Sequence, residues 1–354
     1  MRIVVAMSGG VDSSVAAALL AEAGHDVVGV SMQLYDQREG DTRFGSCCTL
    51  DDLYDARRTA AVLGIPHYIV NFEERFDEHV VSDFVREYVS GRTPIPCVHC
   101  NGQLKFASLL ARARAFGADR VATGHYARVA FDEGRGRHVL RRGADPAKDQ
   151  SYFLFTLDQA QLAAASFPVG GMTKEMVRDH ARRLGLRVAQ KPDSQELCFV
   201  PAGDPATFVE RRVPTAATSG VIVDQQGRAL GRHRGVHHFT VGQRKGLGLS
   251  AGIPLYVLAI DARRQRVTVG PRTALGRTQF TASRVNWMLW DPPSSPRRVT
   301  AQIRFRHPEA PARVRALDAS RAVVEFDEPQ TAIAPGQAVV FYEGDAVAGG
   351  GWID

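Results

Sequence analysis

Within Ser8-Gly9-Gly10-Val11-Asp12-Ser13 the chain sets hydroxyls, adjacent glycines and a carboxylate side by side. Paired glycines let a backbone approach a ligand and take dihedrals that a side chain forbids. Ser8 and Ser13 add hydroxyl donors, and a helix starting here offers free N–H groups and its positive dipole end. Together these groups cradle phosphate. The stretch lacks the Gly-Lys-Ser/Thr of kinase and GTPase loops and the spaced Gly-x-Gly-x-x-Gly of dinucleotide folds. Asp12 would repel a bare phosphate, so its place in the cradle makes sense if it holds Mg²⁺ against a polyphosphate.

Thiols offer a second chemistry. Cys97-Val98-His99-Cys100 follows Thr93-Pro94-Ile95-Pro96, a proline-stiffened loop that fixes the angles of the thiols. On spacing alone Cys-x-x-Cys reads as half of a zinc site or as a redox-active pair. Cys47-Cys48 is adjacent and poorly suited to a tetrahedral site, so no structural metal is expected. Cys198 follows the polar run Asp193-Ser194-Gln195-Glu196, and a lone cysteine is often a small buried apolar side chain. The N-terminus shows no signal-peptide pattern and no apolar run is long enough to span a membrane. A cytoplasmic setting is therefore expected, in which cysteines stay reduced and available as ligands or catalysts.

Several elements must position these groups. Arg2-Ile3-Val4-Val5-Ala6 reads as a buried parallel strand, followed by a helix with Val15, Ala16, Leu19, Leu20 and Ala23 at helical spacing and a stop at Gly24. Strands are expected at 26–32, 68–72 and 120–123, and helices at 50–63, ended by Gly64 and Pro66, and at 103–116. This alternation predicts an α/β fold, a doubly wound parallel sheet over residues 1–205. Ligands of such sheets bind outside the C-terminal ends of the strands. The Ser8 loop, Met32, the Gly124-His125 turn and the Cys97–Cys100 loop are thus expected around one crevice. Beyond Pro201 short strands with Gly, Asp and Pro punctuation predict a small β-rich domain over 206–276 and a β-barrel or sandwich over 277–354, with no helix.

The 354 residues exceed one typical core, and 44% hydrophobic with 23% charged residues is ordinary for a globular protein. A net charge of +6 favours an acidic partner. Between Asp224 and Arg272 the only acids are Asp224 and Asp261, against Arg228, Arg232, Arg234, Arg244, Lys245, Arg263, Arg264, Arg266 and Arg272. His233, His237, His238 and Phe239 lie among them. The run reads as a solvated basic face or as a surface for a phosphate backbone.

The Ser8–Ser13 hexapeptide resembles the loop of pyrophosphatase-type ATP enzymes, which cleave ATP between the α- and β-phosphates. Further motifs follow in order: Cys47-Cys48, Pro94-x-Pro96-x-x-x-Cys100-Asn101, Thr123-Gly124-His125-Tyr126, Lys148-Asp149-Gln150-Ser151-Tyr152-Phe153-Leu154, Asp193-Ser194…Cys198-Phe199 and Phe239-Thr240-Val241-Gly242-Gln243-Arg244-Lys245-Gly246-Leu247-Gly248. With these, the chain resembles the bacterial tRNA-specific 2-thiouridylases over nearly its whole length. That resemblance implies a PP-loop catalytic domain of the adenine nucleotide alpha hydrolase type, a small central domain and a C-terminal β-barrel. It implies exchange of the 2-oxygen of the anticodon wobble uridine for sulfur, using ATP with Mg²⁺ and a relayed persulfide. By resemblance Ala6, Met7, Ser8, Gly9, Gly10, Val11, Asp12, Ser13, Met32 and Gly124 bind ATP. Cys198 carries the persulfide and Cys100 releases or resolves it, with a disulfide between them as one state. Ile95, Pro96, Cys97, His125, Lys148, Asp149, Gln150, Arg304, Phe305 and Gln337 match positions that touch tRNA. The implied partners are tRNAs for Lys, Glu and Gln and a sulfur-relay protein or cysteine desulfurase.

The chain departs from the pattern at one place. Some members carry an aspartate, proposed as an acid/base group, where this chain has Cys97. Either the thiol does that work or the role lies elsewhere, and three thiols also admit an iron–sulfur cluster. A small-molecule ligase with the same loop would leave the thiols and the basic run unexplained. An RNA-binding protein without catalysis would leave Asp12 without a purpose.

Overall fold

The computed structural model describes residues 1–35, 49–193, 197–200, 204–250 and 252–354. Cys47, Cys48, Ser194, Gln195, Glu196 and Pro201 lie outside the described residues. The chain separates into two compact units, one of Met1–Val80, Cys97–Gly203 and Asp345–Val347, the other of Val81–Pro96, Asp204–Gly344 and Ala348–Asp354. No helix among the described residues is long and apolar enough to cross a membrane.

In the first unit β1 (Arg2–Ala6), β2 (Asp26–Gln33), β3 (His67–Asn71), β4 (Arg120–Ala122) and β7 (Ala165–Ser166) form a sheet in the order β3-β2-β1-β4-β7. Every pairing is parallel. Between β4 and β7 the chain makes the antiparallel hairpin of β5 (Ala127–Asp132) and β6 (Arg137–Arg142).

Helix α1 (Val11–Glu22) is buried nearly all round. One side packs with Ile3, Val5, Val27, Ala56 and Ala60 through Ala17 and Leu20, the other with Tyr126, Val169, Val177 and Ala181 through Val11, Val15 and Ala16. Its alanines allow this close approach on both sides. Helix α2 (Leu50–Leu63) begins in a capping box of Thr49 with Asp52 and ends at Gly64 in the left-handed conformation, as its sequence dictates. Strand order reverses between β1 and β4, so the ends of these two strands form the topological switch point.

The expected helix at 103–116 begins earlier. Pro96–His99 is an α-turn that runs into wide π-type turns at Cys100–Ser108 and then an α-helix at Leu109–Ala115. Cys97 and Cys100 therefore ride the first turns of a helical run rather than an irregular loop, with Pro96 at the start where its missing N–H costs nothing.

The second unit holds two sheets. Strands β8 (Gly220–Val223), β9 (Ala229–His233), β10 (Tyr256–Asp261) and β11 (Arg266–Gly270) pair in the order β10-β11-β8-β9 around Ile222, Val236, Phe239, Val257, Val267 and Val269. Strands β12 (Gly276–Trp287), β13 (Arg297–Gln302), β14 (Ala310–Ala316), β15 (Ala322–Thr331), β16 (Ala338–Glu343) and β17 (Ala346–Ile353) run in the order β12-β15-β14-β13-β16-β17. Pairing of β12 with β17 closes them into an antiparallel barrel, which leaves no open edge.

One expectation fails here, because a helix does lie beyond Pro201. Pro205–Arg212 is helical, with Asp204 accepting the N–H groups of Ala206 and Thr207 and Pro205 in the first turn. Only Ala206 and Val209 of that helix are buried, so it carries no apolar period to read.

Candidate functional site

The loop joining β1 to α1 is built as a cradle. Gly9 takes φ +73°, and a Cβ there would lie 2.1 Å from the Asp52 carbonyl oxygen. Only glycine lets the first turn of α2 press against the loop. Ser13 Oγ accepts the Ser8 N–H and donates to the Gly10 carbonyl, both at 3.1 Å. Gly10 caps α1 without a side-chain hydrogen bond, so no side chain of the cap blocks the N–H groups of the first turn. The end of β4 closes in from beside it: a Cβ on Gly124 would lie 2.5 Å from the Ser13 nitrogen. Met32, at the end of β2, is buried.

Asp12 is not left to itself. The Tyr126 hydroxyl donates to its Oδ1 at 2.8 Å, and Lys174 Nζ donates to Oδ1 and Oδ2, each at 2.8 Å. Lys174 also pairs with Asp193 Oδ1 at 2.6 Å, and Lys148 Nζ donates to Asp193 Oδ2 at 2.7 Å. Charges thus alternate along Lys148, Asp193, Lys174 and Asp12. Burial opposes ionisation of Asp193, but the hydrogen bonds from Lys148 and Lys174 outweigh it and hold the carboxyl below its ordinary range. Burial first, then the Asp12 carboxylate, push the Tyr126 hydroxyl far above its ordinary value, so it acts as a neutral donor. A second cluster steadies the loop from the other side. Lys191 Nζ donates to the Gly9 carbonyl at 3.1 Å, to Asp52 Oδ1 at 2.7 Å and to Asp55 Oδ2 at 2.6 Å. Burial disfavours charge on Lys191, yet Asp52 and Asp55 raise its pKa above the ordinary lysine value.

Sequence reasoning named neither Lys174 nor Lys191 as a site residue. The one available signal for Lys174 was a cation at the first position of a helix, capped by Thr173, where the dipole disfavours it.

Asp149 and Gln150 brace the adjoining turn. Asp149 accepts the N–H groups of Gly143 and Ser151 and an Arg142 guanidinium, and Gln150 clasps the backbone of Tyr126 through its side chain and its own N–H. His125 is buried, with Nδ1 2.7 Å from Thr123 Oγ1 and its ring among Phe106 and Phe167. Burial first, then Lys105, hold its pKa well below the usual histidine value. In the unfolded chain the ring takes a proton below about pH 6.5, so stability present above that pH is lost as pH falls toward the depressed folded value. His125→Gln is expected to flatten that part of a melting-temperature profile between pH 7 and 5; an unchanged slope would remove His125 as the cause.

Cys97 is exposed, whereas Cys100 and Cys198 are half-buried. All three belong to the first unit. Phe199 packs edge-on against Phe76 with ring centroids 5.5 Å apart, and Val200 is buried, which anchors the turn bearing Cys198.

In the second unit the residues before the thiols are stitched to the barrel. Gln337 Nε2 donates to the Thr93 carbonyl at 3.0 Å, Thr93 N–H donates to the Pro335 carbonyl at 2.8 Å, and Arg92 reaches the Ile353 carbonyl at 2.9 Å. Gly336 takes φ +89°, and a Cβ there would lie 2.9 Å from the Thr93 nitrogen. Ile95 and Pro96 are buried. Arg304 is exposed and Phe305 half-buried on the turn after β13, where the Arg306 guanidinium lies over the Phe305 ring.

The basic run divides on folding. His233, His237 and Phe239 are buried, because Val236 and Phe239 join the apolar core and draw the turn inward. The arginines remain exposed, although Arg228 and Arg264 pair with Asp224 and Asp261. The turn carrying Arg244 and Lys245 is braced by Gln243, which accepts the Thr240 N–H at 3.0 Å and donates to the Lys245 carbonyl at 2.9 Å. Both cations are thereby presented outward on a fixed backbone.

Family models match along the chain. One described as a tRNA methyl transferase HUP domain covers residues 1–202, one described as a tRNA methyl transferase PRC-barrel domain covers 206–271, and one described as an aminomethyltransferase beta-barrel domain covers 277–353. The chain is 54% identical over 358 residues to the tRNA-specific 2-thiouridylase of Geotalea uraniireducens, covering 100% of this chain and 95% of that protein. To the tRNA-specific 2-thiouridylase of Solibacter usitatus it is 54% identical over 367 residues, covering 99% of each.

Proposed function

Because the chain belongs to the tRNA-specific 2-thiouridylases, sulfurtransferases that act on tRNA, we propose that it adenylates O2 of the wobble uridine with ATP and replaces that oxygen with sulfur carried on Cys198. The observation that carries this reading is the cradle at the switch point, in which an acid and its counter-cations stand beside a helix start that no side chain caps. A ring carbonyl oxygen is a poor leaving group until it is esterified. Attack of O2 on the α-phosphorus breaks the bond to the β-phosphate, and pyrophosphate leaves with the electron pair. Ser8, Gly9, Gly10, Val11, Asp12 and Ser13 would bind the phosphates, with Ala6, Met7, Met32 and Gly124 lining the nucleotide. The Asp12 carboxylate is a hard oxygen donor that suits Mg²⁺, which when bound offsets polyphosphate charge.

Sulfur then arrives as the persulfide of Cys198, a stronger nucleophile than water. Its terminal sulfur attacks C2 and AMP departs. The Cys100 thiolate attacks the Cys198 sulfur, the S–S bond to the uridine sulfur breaks, and a Cys100–Cys198 disulfide forms, to be reset by a thiol reductant. A relay protein or a cysteine desulfurase would load Cys198, and tRNAs for Lys, Glu and Gln, met in the cytoplasm, would be the substrates. In the first unit Cys97, His125, Lys148, Asp149 and Gln150, and in the second Ile95, Pro96, Arg304, Phe305 and Gln337, are each proposed to contact tRNA or to brace residues that do.

The test is the mass of wobble-uridine tRNA after incubation with protein, ATP, Mg²⁺ and a persulfide donor. An oxygen-to-sulfur exchange is expected; pyrophosphate release with amino acids but not with tRNA would instead make the chain a small-molecule ligase. A second measurement addresses the exposed cations. tRNA affinity should fall steeply with salt, and Arg244→Ala or Lys245→Ala should each reduce the log–log slope by about one unit. A flat salt response would reduce the run to a solvated face.

A further inference from the structure

We propose that Lys174 is a phosphate-binding residue held in reserve, its ammonium bridging Asp12 and Asp193 until a polyphosphate takes it over. The inference rests on the adenylation reading above. A single ammonium has three protons, and here it meets Asp12 Oδ1 and Oδ2 at 2.8 Å and Asp193 Oδ1 at 2.6 Å. Its side chain is only 11% exposed, so the bridge is a built contact rather than a passing surface pair.

Helix stability does not explain the residue. Lys174 opens the helix Lys174–Arg183, the end where a cation is least favourable, and its place is accounted for by what its side chain reaches. The phosphate loop itself contains no lysine between Ser8 and Ser13. The fold supplies one from a segment 162 residues away. In the resting chain Asp12 and Asp193 balance Lys174 and Lys148, leaving the cradle with no net charge from these four groups. Entry of a polyphosphate makes the cradle strongly anionic, and the ammonium already in contact with Asp12 is placed to answer it. When the bond from the α-phosphorus to the bridging oxygen breaks, the electron pair stays on pyrophosphate. Lys174 keeps its protons and offsets that charge.

The test compares Lys174→Met and Asp193→Asn with the unaltered chain. Equilibrium binding would be measured for AMP and for an ATP analogue with a methylene between the α- and β-phosphates, alongside pyrophosphate release and tRNA affinity. Lys174→Met is expected to weaken the analogue selectively over AMP by tenfold or more, to lower pyrophosphate release by about 10²–10³, and to leave tRNA affinity unchanged. Asp193→Asn removes the resting competitor and should tighten the analogue several-fold, an outcome that a merely structural bridge does not give. If Lys174→Met fails to fold, this second variant decides alone. An unchanged ratio of analogue to AMP affinity in Lys174→Met, or no tightening in Asp193→Asn, overturns the proposal. Absence of pyrophosphate release by the unaltered chain with tRNA would overturn the adenylation reading itself.

Discussion

Cys198→Ser is expected to make no thiouridine while still releasing pyrophosphate, so that adenylated tRNA or its hydrolysis product, AMP with unmodified tRNA, accumulates. Serine cannot accept a persulfide, whereas adenylation needs no thiol. Cys100→Ser should behave differently: it loads the persulfide on Cys198 and then stalls, because nothing breaks the S–S bond. Mass spectrometry of the two variants after loading separates them, and the unaltered chain under mild oxidant should yield a Cys100–Cys198 disulfide. Both thiols are half-buried, so substitution by serine changes one atom without opening a large cavity. Persulfide found on Cys100 but never on Cys198 would reverse the assignment. Iron bound to the protein and lost, with activity, in the serine variants at Cys97, Cys100 and Cys198 would replace the relay by a cluster.

Asp12→Asn should cut pyrophosphate release by about 10²–10³, or about 3–4 kcal/mol of transition-state stabilisation, with tRNA affinity nearly unchanged. The variant keeps the hydrogen bond with the Tyr126 hydroxyl, and Lys174 keeps Asp193 as a partner, so the loop retains its anchors. What disappears is the negative charge that suits Mg²⁺ beside a polyphosphate. The exposed cations at Arg244 and Lys245 are untouched, so the salt dependence of tRNA binding should keep its slope. ATP turnover at the ordinary rate in Asp12→Asn would remove the residue from the mechanism.

The sequence by itself determined the chemistry that is local along the chain. The glycine pair, the Ser8 and Ser13 hydroxyls and Asp12 specify a cradle because a turn and a helix start depend on neighbouring residues alone. The stop at Gly64 ends α2 for the same reason. Alternating apolar runs were enough for β1, β2, β3 and β4 of the parallel sheet, whereas the two-residue β7 and the strand order that places the switch point came with the tertiary structure. Long-range partners were not legible. Nothing near Asp12 in sequence announces Lys174 or Tyr126, and nothing near Gly9 announces Lys191, because an ion pair leaves no periodicity in the segments it joins. Elements with few buried side chains escaped for a related reason, as at Pro205–Arg212. Burial overrode composition in the basic run: His233 and His237 lie within a stretch that reads as a basic face, yet Val236 and Phe239 carry that turn into the apolar core. Only the tertiary structure decides which charges face water and which face each other, since that choice depends on the packing of segments remote in sequence.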